Sequence, residues 1–502
     1  MTPALPILIA SALLLVAVLA SKLGARIGVP ALLVFLVIGL LSGSEGPGGI
    51  PFSDSGVAMM VGYVALGLIL FDGGLQTDVA ALTRPVVSAA ALLATVGVVM
   101  TALVLAAGAV WLLDATWAEG LLIGAILSST DAAAVLSVMR ARGIGVPERL
   151  RSLIELESAS NDPTAVFLTA TAIAVAQGVA PSAGMMPVLY LFRILGGALI
   201  GWLAGLLLVR LLRRIDLSHD GLYPALTLAV VGVAFGVTEA TTASGFMAVY
   251  IMGITLAGRV FTHRASLIRF HAGVAWLMQI TMFLILGLLA FPSQLVAQAR
   301  PALLLGVILA LVARPVTVFT VLAFSPFNWR EKALVAWVGL RGAAPIILAT
   351  LPLVAGVPGS DRIFSIVFFA VLISVLVQGP TVGVAARLLG VAEPAAPDVT
   401  VPLEIDSAVA VGLELESLVV VQGSEADGSR LLCIGGPGRP LVAMIRREGA
   451  VFVPTGSTTL HAGDELFVLG EPAGFEAMRV AVSHDAGSAP SRAEAPAGCE
   501  RG

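Results

Sequence analysis

Long apolar runs separated by short polar segments fill the first 390 or so residues, and the pattern then changes. Thirteen apolar stretches stand out, near residues 4–21, 28–43, 56–75, 86–113, 118–140, 152–177, 188–213, 221–237, 241–258, 272–291, 301–324, 331–353 and 361–388. About 20 such residues coiled as a helix cross the ~30 Å hydrocarbon core of a bilayer. Each stretch is therefore predicted to be one transmembrane helix. The eighth and ninth are the least separated and run together around TEATTASG.

The polar segments carry their basic residues on alternate sides. Lys22 and Arg26 follow the first stretch, Arg84 the third, and Arg140, Arg142, Arg149 and Arg151 the fifth. Arg210, Arg213 and Arg214 follow the seventh, Arg259, Arg264 and Arg269 the ninth, and Arg330 and Lys332 the eleventh. The intervening loops, such as LSGSEGPGGIPFSDSG and AQGVAPSAGMM, contain almost none. By the positive-inside rule this puts the N-terminus outside and the C-terminus in the cytoplasm. The opening MTPALPILIASALLLVAVLASKLGARI has its positive charges after the apolar run, so it reads as a first membrane helix and not as a signal peptide.

Residues 1–391 thus form a polytopic all-α membrane domain. A Pro-rich linker, residues 392–399 within EPAAPDVTVP, leads to a small soluble domain over 400–482. Its β-type runs LESLVVVQG, RLLCIG, PLVAMIRREGAVFVP and DELFVLG, separated by Gly, Pro and Asp, predict a mainly β or α/β unit. The tail 483–502 has the composition of a disordered segment.

Composition sharpens this reading. The 502 residues are 58% hydrophobic and 12% charged, with a mean hydropathy of +1.00. Soluble domains have about 45–50% apolar and about 25% charged residues, so most of the chain belongs in lipid. A net charge of −4 and a pI near 5.8 give no reason to expect a nucleic-acid partner. The two cysteines, Cys433 and Cys499, are too few for a disulfide framework or a cysteine metal site. The five histidines, His219, His263, His271, His461 and His484, fall in loops or in the soluble part and are expected at solvated surfaces. Glu239 is expected in an outer loop.

Against this background, the intramembrane charges are the candidates for chemistry. Asp131 lies nine residues before Arg140 on the fifth helix, and Asp162 lies ten residues after Ser152, where the sixth is expected to begin. At 1.5 Å per residue both fall ~13–15 Å from the cytoplasmic face, close to the midplane. A charge at that depth costs at least ~2.5–3.5 kcal/mol. Two at matching depth point to an ion or proton site. Within the sixth helix, Ser158 and Glu155 share the face of Asp162, whereas Glu157 lies roughly 140° around from it and pairs in spacing with Asn161. Asp162 is therefore expected to face an aqueous path, and Glu157 to turn toward a buried cation, either Arg314 (LVARPVTVF) or Arg341 (VGLRGAAPIIL). Asp72, in ILFDGGLQTD, is either an entrance residue with Glu155 or an end-of-helix cap. Interruption signals occur twice, in SSTDAA and in GLRGAAP. Transporters built from inverted repeats carry one broken helix per repeat, and the two meet at the midplane.

The pairing of SSTDAAAV with ESASNDPTAVFL, followed by an LRGAAPI helix, resembles the cation/proton antiporter superfamily, in particular its NhaP-like sodium or potassium/proton antiporters. The resemblance implies thirteen helices with inverted repeats, and it implies site roles. Asp162 would hold a cation or protons in turn. Thr130 and Asp131 would be the unwound stretch, Ser158 an oxygen ligand, and Asn161 a supporting residue. Glu157 would pair with Arg314, and Arg341 would serve the second broken helix by compensating helix dipoles. Asn161, in place of a second aspartate, implies one-for-one, electroneutral exchange. A homodimer is implied by resemblance alone, and no cofactor is implied.

The soluble part, in ELESLVVVQGS and VAMIRREGAVFVPTGSTTLHAGDELFVLG, is similar to the regulatory TrkA-C domain of potassium-transport proteins. That tilts the substrate toward potassium. No Gly-rich dinucleotide fold precedes it, so a small ligand or self-association is the expected mode of regulation.

Three rivals lack their signatures. A potassium channel needs a TVGYG-type filter, which is absent. A proton-translocating subunit of a larger complex predicts intramembrane lysines, yet the lysines are Lys22 and Lys332, near helix ends. A membrane enzyme needs HExxH, GxSxG or a Cys/His cluster, and none is found.

Overall fold

The computed structural model describes residues 4–26, 31–215, 217–259, 261, 263–394, 414–434, 440–447, 450–470 and 472–483. The chain divides into two compact units, Met1–Ala395 and Ala396–Gly502. In hydrocarbon every backbone N–H and C=O of an open chain has to be satisfied within its own segment, which leaves the helix. Each predicted apolar stretch is helical over most of its described residues, two of them with an interruption.

Helices α1 (Ala4–Arg26), α2 (Ala31–Ser42) and α3 (Ser55–Leu75) come first. Then α4 (Arg84–Leu92) passes through a π turn at Leu93–Gly97 into α5 (Val98–Leu113). One interrupted stretch follows, its halves α6 (Trp117–Leu127) and α7 (Ala132–Ala141), then the two-residue strand β1 (Ile144–Gly145) and the long α8 (Glu148–Ala176). Four helices intervene, α9 (Met186–Arg214), α10 (Leu222–Ala240), α11 (Gly245–Ala257) and α12 (Arg264–Leu289), followed by the short α13 (Pro292–Ala297).

The earlier order then recurs. α14 (Ala299–Ile308) passes through a π turn at Leu309–Ala313 into α15 (Arg314–Val321); α16 (Trp329–Trp337) and α17 (Ala343–Val354) are halves of a second interrupted stretch; α18 (Ser360–Leu388) closes the series and leads to β2 (Glu393–Pro394). The match extends to detail. Both π turns are five residues long, and both closing helices have 29 residues. The buried hydroxyls of Thr101 and Thr317, each four residues past its π turn, are 3.1 Å apart. Among the described residues, seven continuous helices have the length and composition to cross a membrane, and the interrupted and shorter apolar helices add to these.

Close packing rests on small residues, as expected between helices in lipid. Gly197, Gly201 and Gly205 form a stripe on α9 that lies directly against α11 or the Ser244 that caps it, where any Cβ would collide with Ser244, Ala248 or Thr255. Gly74 of α3 and Gly253 of α11 cross backbone to backbone.

Three details depart from the sequence reading. The sixth predicted helix starts at Glu148 behind Pro147, a turn before Ser152, because charged residues in a helix's first turn give no apolar signal. Asp162 is consequently the fifteenth of 29 residues, at the middle of the helix. His271 does not sit in a loop. It is buried in α12, with Nε2 2.7 Å from Thr227 Oγ1 and its ring edge-on to Phe71. Glu239 lies in the last turn of α10, where its carboxylate accepts the Gly245 N–H at 2.8 Å.

The second unit is a four-stranded antiparallel sheet. Strands β3 (Glu414–Val419), β4 (Leu441–Arg447), β5 (Ala450–Phe452) and β6 (Glu465–Gly470) lie in the order β3-β6-β4-β5. The run RLLCIG, expected as a strand, instead forms the one-turn helix α19 (Leu431–Ile434); short apolar runs are ambiguous between the two by pattern alone. The final helix α20 (Pro472–Ser483) contributes Phe475, Met478, Ala481 and Val482 to the core of this unit. Cys499 lies outside the described residues. The expected linker begins as structure, since Glu393 and Pro394 pair with β1, and its remainder is outside the described residues, as is the tail from His484 onward.

Candidate functional site

Residues 128–131, Ser-Ser-Thr-Asp, separate α6 from α7. Serine and threonine hydroxyls compete with helical hydrogen bonds, and Ser128 Oγ donates to Ala125 O at 2.6 Å. The interruption is braced by α8. Ser158 Oγ donates to Thr130 O and accepts from Ala132 N, both at 2.9 Å, and so caps the start of α7. Asn161 Nδ2 donates to Thr130 Oγ1 at 2.5 Å, and Thr130 N lies 3.4 Å from Asn161 Oδ1. Ser129 Oγ donates to Asp162 Oδ1. Asn161 and Asp162 are both buried.

Residues 338–342, Val-Gly-Leu-Arg-Gly, form the second interruption. The two cross directly: Asp131 N donates to Leu340 O at 2.8 Å. Arg341 is fully buried, and its Nε donates to Leu127 O, the last residue of α6, at 2.7 Å. Its Nη1 donates to Gly339 O. Its backbone N–H donates at 3.1 Å to Ser374 Oγ, which in turn donates to Gln378 Oε1 at 2.5 Å. A helix C-terminus carries about half a negative charge and an N-terminus about half a positive one. Arg341 thus sits at the negative end of α6, while the Asp131 carboxylate lies against Gly342 at the positive end of α17. A Cβ at Gly342 would overlap the Asp131 carboxylate where it now lies.

Of the two arginines left open for Glu157, Arg314 is its partner. Nη1 to Oε1 is 2.8 Å and Nη2 to Oε2 is 2.9 Å, with both side chains almost fully buried.

One cavity of about 310 Å³ brings together Asp72, Thr130, Asp131, Glu155, Ser158 and Asp162. Asn161, Glu157, Arg314 and Arg341 do not line it; they hold the residues that do. In α3, Asp72 Oδ2 accepts from Gln76 Nε2 at 2.6 Å, and its Oδ1 is buried without a partner. Glu155 pairs with Arg151 at 2.9 Å. Sequence reasoning used Ser129 only as a break signal and missed its bond to Asp162. It also missed Ser374 and Gln378, uncharged residues on an apolar helix that nothing in the pattern distinguishes. Tyr250, Trp276 and Gln279, which complete the cavity wall, were missed for the same reason.

A carboxylate at the centre of a membrane helix, beside backbone and hydroxyl oxygens and facing a cavity, can accept a proton or a hard cation. Comparison with known proteins agrees. Residues 9–388 match the family described as sodium/hydrogen exchanger, transmembrane, and residues 416–482 match the TrkA-C domain. The chain is 43% identical over 405 residues to the K(+)/H(+) antiporter NhaP of Alkalimonas amylolytica, covering 80% of this chain and 70% of that one. It is 39% identical over 478 residues to the K(+)/H(+) antiporter NhaP2 of Shewanella oneidensis, covering 94% and 82%. The fold is similar to that of the sodium proton antiporter MjNhaP1 of Methanocaldococcus jannaschii, with a TM-score of 0.66 and 23% identity over 76% of this chain and all of that one. The chain therefore belongs to the sodium/hydrogen exchanger family of membrane transporters and carries a TrkA-C domain at its C-terminal end.

Proposed function

We propose that the protein exchanges a monovalent cation, potassium in preference to sodium, for protons across the cytoplasmic membrane, with Asp162 as the group that carries either. The observation that supports this most is the placement of Asp162. It stands at the middle of α8, buried, facing the cavity and bonded across the first interruption to Ser129. A bare charge at that depth is costly. The site therefore changes sides only when a proton or a cation neutralises it, and the two are exchanged because they compete for one carboxylate. Ser158 and Thr130 supply oxygens beside it, and Asn161 holds Thr130. Asn161 is neutral, so a second titrating carboxylate is missing at that position, which favours one-for-one exchange. Asp131 and Arg341 keep the two helix breaks electrically balanced, and Glu157 with Arg314 fixes α8 to α15.

Asp72 and Glu155 line the cavity near the ends of α3 and α8 that the basic loops assign to the cytoplasm, and they serve as its entrance. Alternating access comes from movement of the two repeats, α4–α8 and α14–α18, against the remaining helices. The names of the potassium/proton antiporter relatives support potassium as the substrate. The working form is a homodimer with residues 1–391 in the membrane and the C-terminal domain in the cytoplasm as a regulator, and no cofactor takes part.

The test is dye-monitored proton movement in inside-out vesicles, with potassium or sodium chloride added separately. Wild type is expected to respond more strongly to potassium, and Asp162→Asn to respond to neither. Exchange that survives Asp162→Asn would overturn the site, and a cation flux without proton movement would favour a channel.

A further inference from the structure

The loop between α7 and α8 joins the helix that follows Asp131 to the helix that carries Asp162. It is six residues long, 142–147. Such a loop in a transport core need only turn the chain, yet this one is fastened at three points. Arg142 Nη1 donates to Pro380 O of α18 at 2.7 Å. Ile144 is buried with its Cδ1 against Gly383, where a Cβ would have to displace the tip of that side chain. And Ile144–Gly145 pairs antiparallel with Glu393–Pro394, in the register Ile144 to Pro394 and Gly145 to Glu393.

Glu393 and Pro394 are the last described residues before the chain leaves for the second unit. After α18 the backbone turns at Gly390, with φ of +67°, and Val391 N donates back to Ala386 O at 3.0 Å. The returning chain is thereby laid on the α7–α8 loop rather than released from the end of α18. Pro394 has no N–H, so Gly145 and Glu393 are the pair able to exchange both backbone hydrogen bonds.

We propose that this two-residue ladder is the mechanical link between the C-terminal domain and the ion site. A pull or a restraint on the tether acts on the loop at one end of α7, and α7 is a ten-residue rod, about 15 Å long, with Asp131 at its other end. The crossing from Asp131 N to Leu340 O passes the displacement to the second interruption. A tether attached only to the end of α18 would reach that loop solely through the Arg142 and Ile144 contacts with the side of α18, and not along its own backbone. The proposal rests on the antiport reading for its transport arm alone.

The experiment uses the full chain and four variants of it. Glu393→Pro removes an N–H from the ladder, with Gly145→Pro as its counterpart on the other strand. Gly145→Cys/Glu393→Cys, in a Cys433→Ser/Cys499→Ser background, locks the ladder on oxidation, since antiparallel partners stand at a separation suited to a disulfide. A four-residue Gly-Ser insertion after Ala396 leaves the ladder intact and gives the tether slack. Hydrogen exchange of the α7 amides is expected to rise about tenfold in either proline variant and to fall in the oxidised double variant. Turnover per molecule is expected to shift about threefold or more in one direction for Glu393→Pro and for the insertion, and in the other direction on oxidation, reversibly with reductant. Unchanged α7 exchange overturns the link even if the parent transports nothing, whereas an inactive parent overturns the antiport reading instead. Altered α7 exchange with unaltered turnover in an active parent reduces the ladder to a structural clip and also overturns the proposal.

Discussion

At the scale of single residues, the site separates groups that meet the cavity from groups that hold them. Glu157 and Arg314 belong to the second kind. Taking one partner from a buried ion pair strands the other and costs about 3–5 kcal/mol, while replacing both with neutral groups is often tolerated. Glu157→Gln and Arg314→Met are each expected to lower the melting temperature of the detergent-solubilised protein, and the double variant to recover most of the loss. A double variant no better than the sum of the singles would mean the pair does more than neutralise charge.

Ser129 does not line the cavity either, but it bonds directly to Asp162, which does. A hydrogen bond to a charged group is worth about 1.5–3 kcal/mol. Ser129→Ala is therefore expected to raise the cation concentration for half-maximal exchange by about tenfold or more without abolishing it. A change below about twofold in that titration would remove Ser129 from the site.

At the scale of elements, the interruptions matter more than the helices. Gly342 is the tightest point, because a side chain there would occupy the space of the Asp131 carboxylate. Gly342→Ala is expected to push Asp131 off the start of α17 and to cut exchange in vesicles by about tenfold or more, while the amount of protein in the membrane stays near normal. Normal exchange would show that the crossing tolerates displacement.

Much at this scale was legible in the sequence. Apolar length placed the long helices of the membrane unit, and SSTD and GLRG marked both breaks, because hydroxyls, glycines and charges are conspicuous in lipid-facing sequence. Spacing placed Glu157 and Asp162 on different faces, and they do face different neighbours. It could not choose between Arg314 and Arg341, because that choice depends on how distant helices cross. The π turns at Leu93–Gly97 and Leu309–Ala313 were invisible for another reason. A five-residue turn and a four-residue turn use the same apolar residues, and the difference is fixed by packing. His271 was misplaced because one polar residue beside a basic loop looks solvated until its partner on another helix, Thr227, is known.

At the scale of the whole molecule, the two units differ in what holds them together. The membrane unit relies on small-residue packing and a few buried polar contacts. The sheet of the C-terminal unit is laced with ion pairs, among them Arg447 with Asp464 at 2.6 Å and Arg446 with Glu465. Burial alone would raise the Asp464 carboxyl, but the Arg447 fork and the His461 backbone N–H outweigh it and hold the group below its ordinary range. A carboxyl depressed by folding stabilises the fold above its unfolded value, about 3.9, and loses that contribution as pH falls through the lower folded value. Asp464→Asn is thus expected to speed hydrogen exchange of the β4 and β6 amides at pH 7, with the difference from wild type vanishing near pH 3 and below. A difference that persists in acid would show that the amide disturbs packing rather than charge.

The cavity before Asp162 also bears on what the protein can tell apart. A space of about 310 Å³ accommodates on the order of ten waters, so a cation can travel most of the way to the carboxylate still dressed in solvent. On the proposed exchange, sorting by size would then be confined to the last step, where a few oxygens of Thr130, Ser158 and Asp162 would stand in for part of that coat. An antechamber of this kind would leave the proposed preference for potassium to be decided by that last short contact alone, and not along the approach.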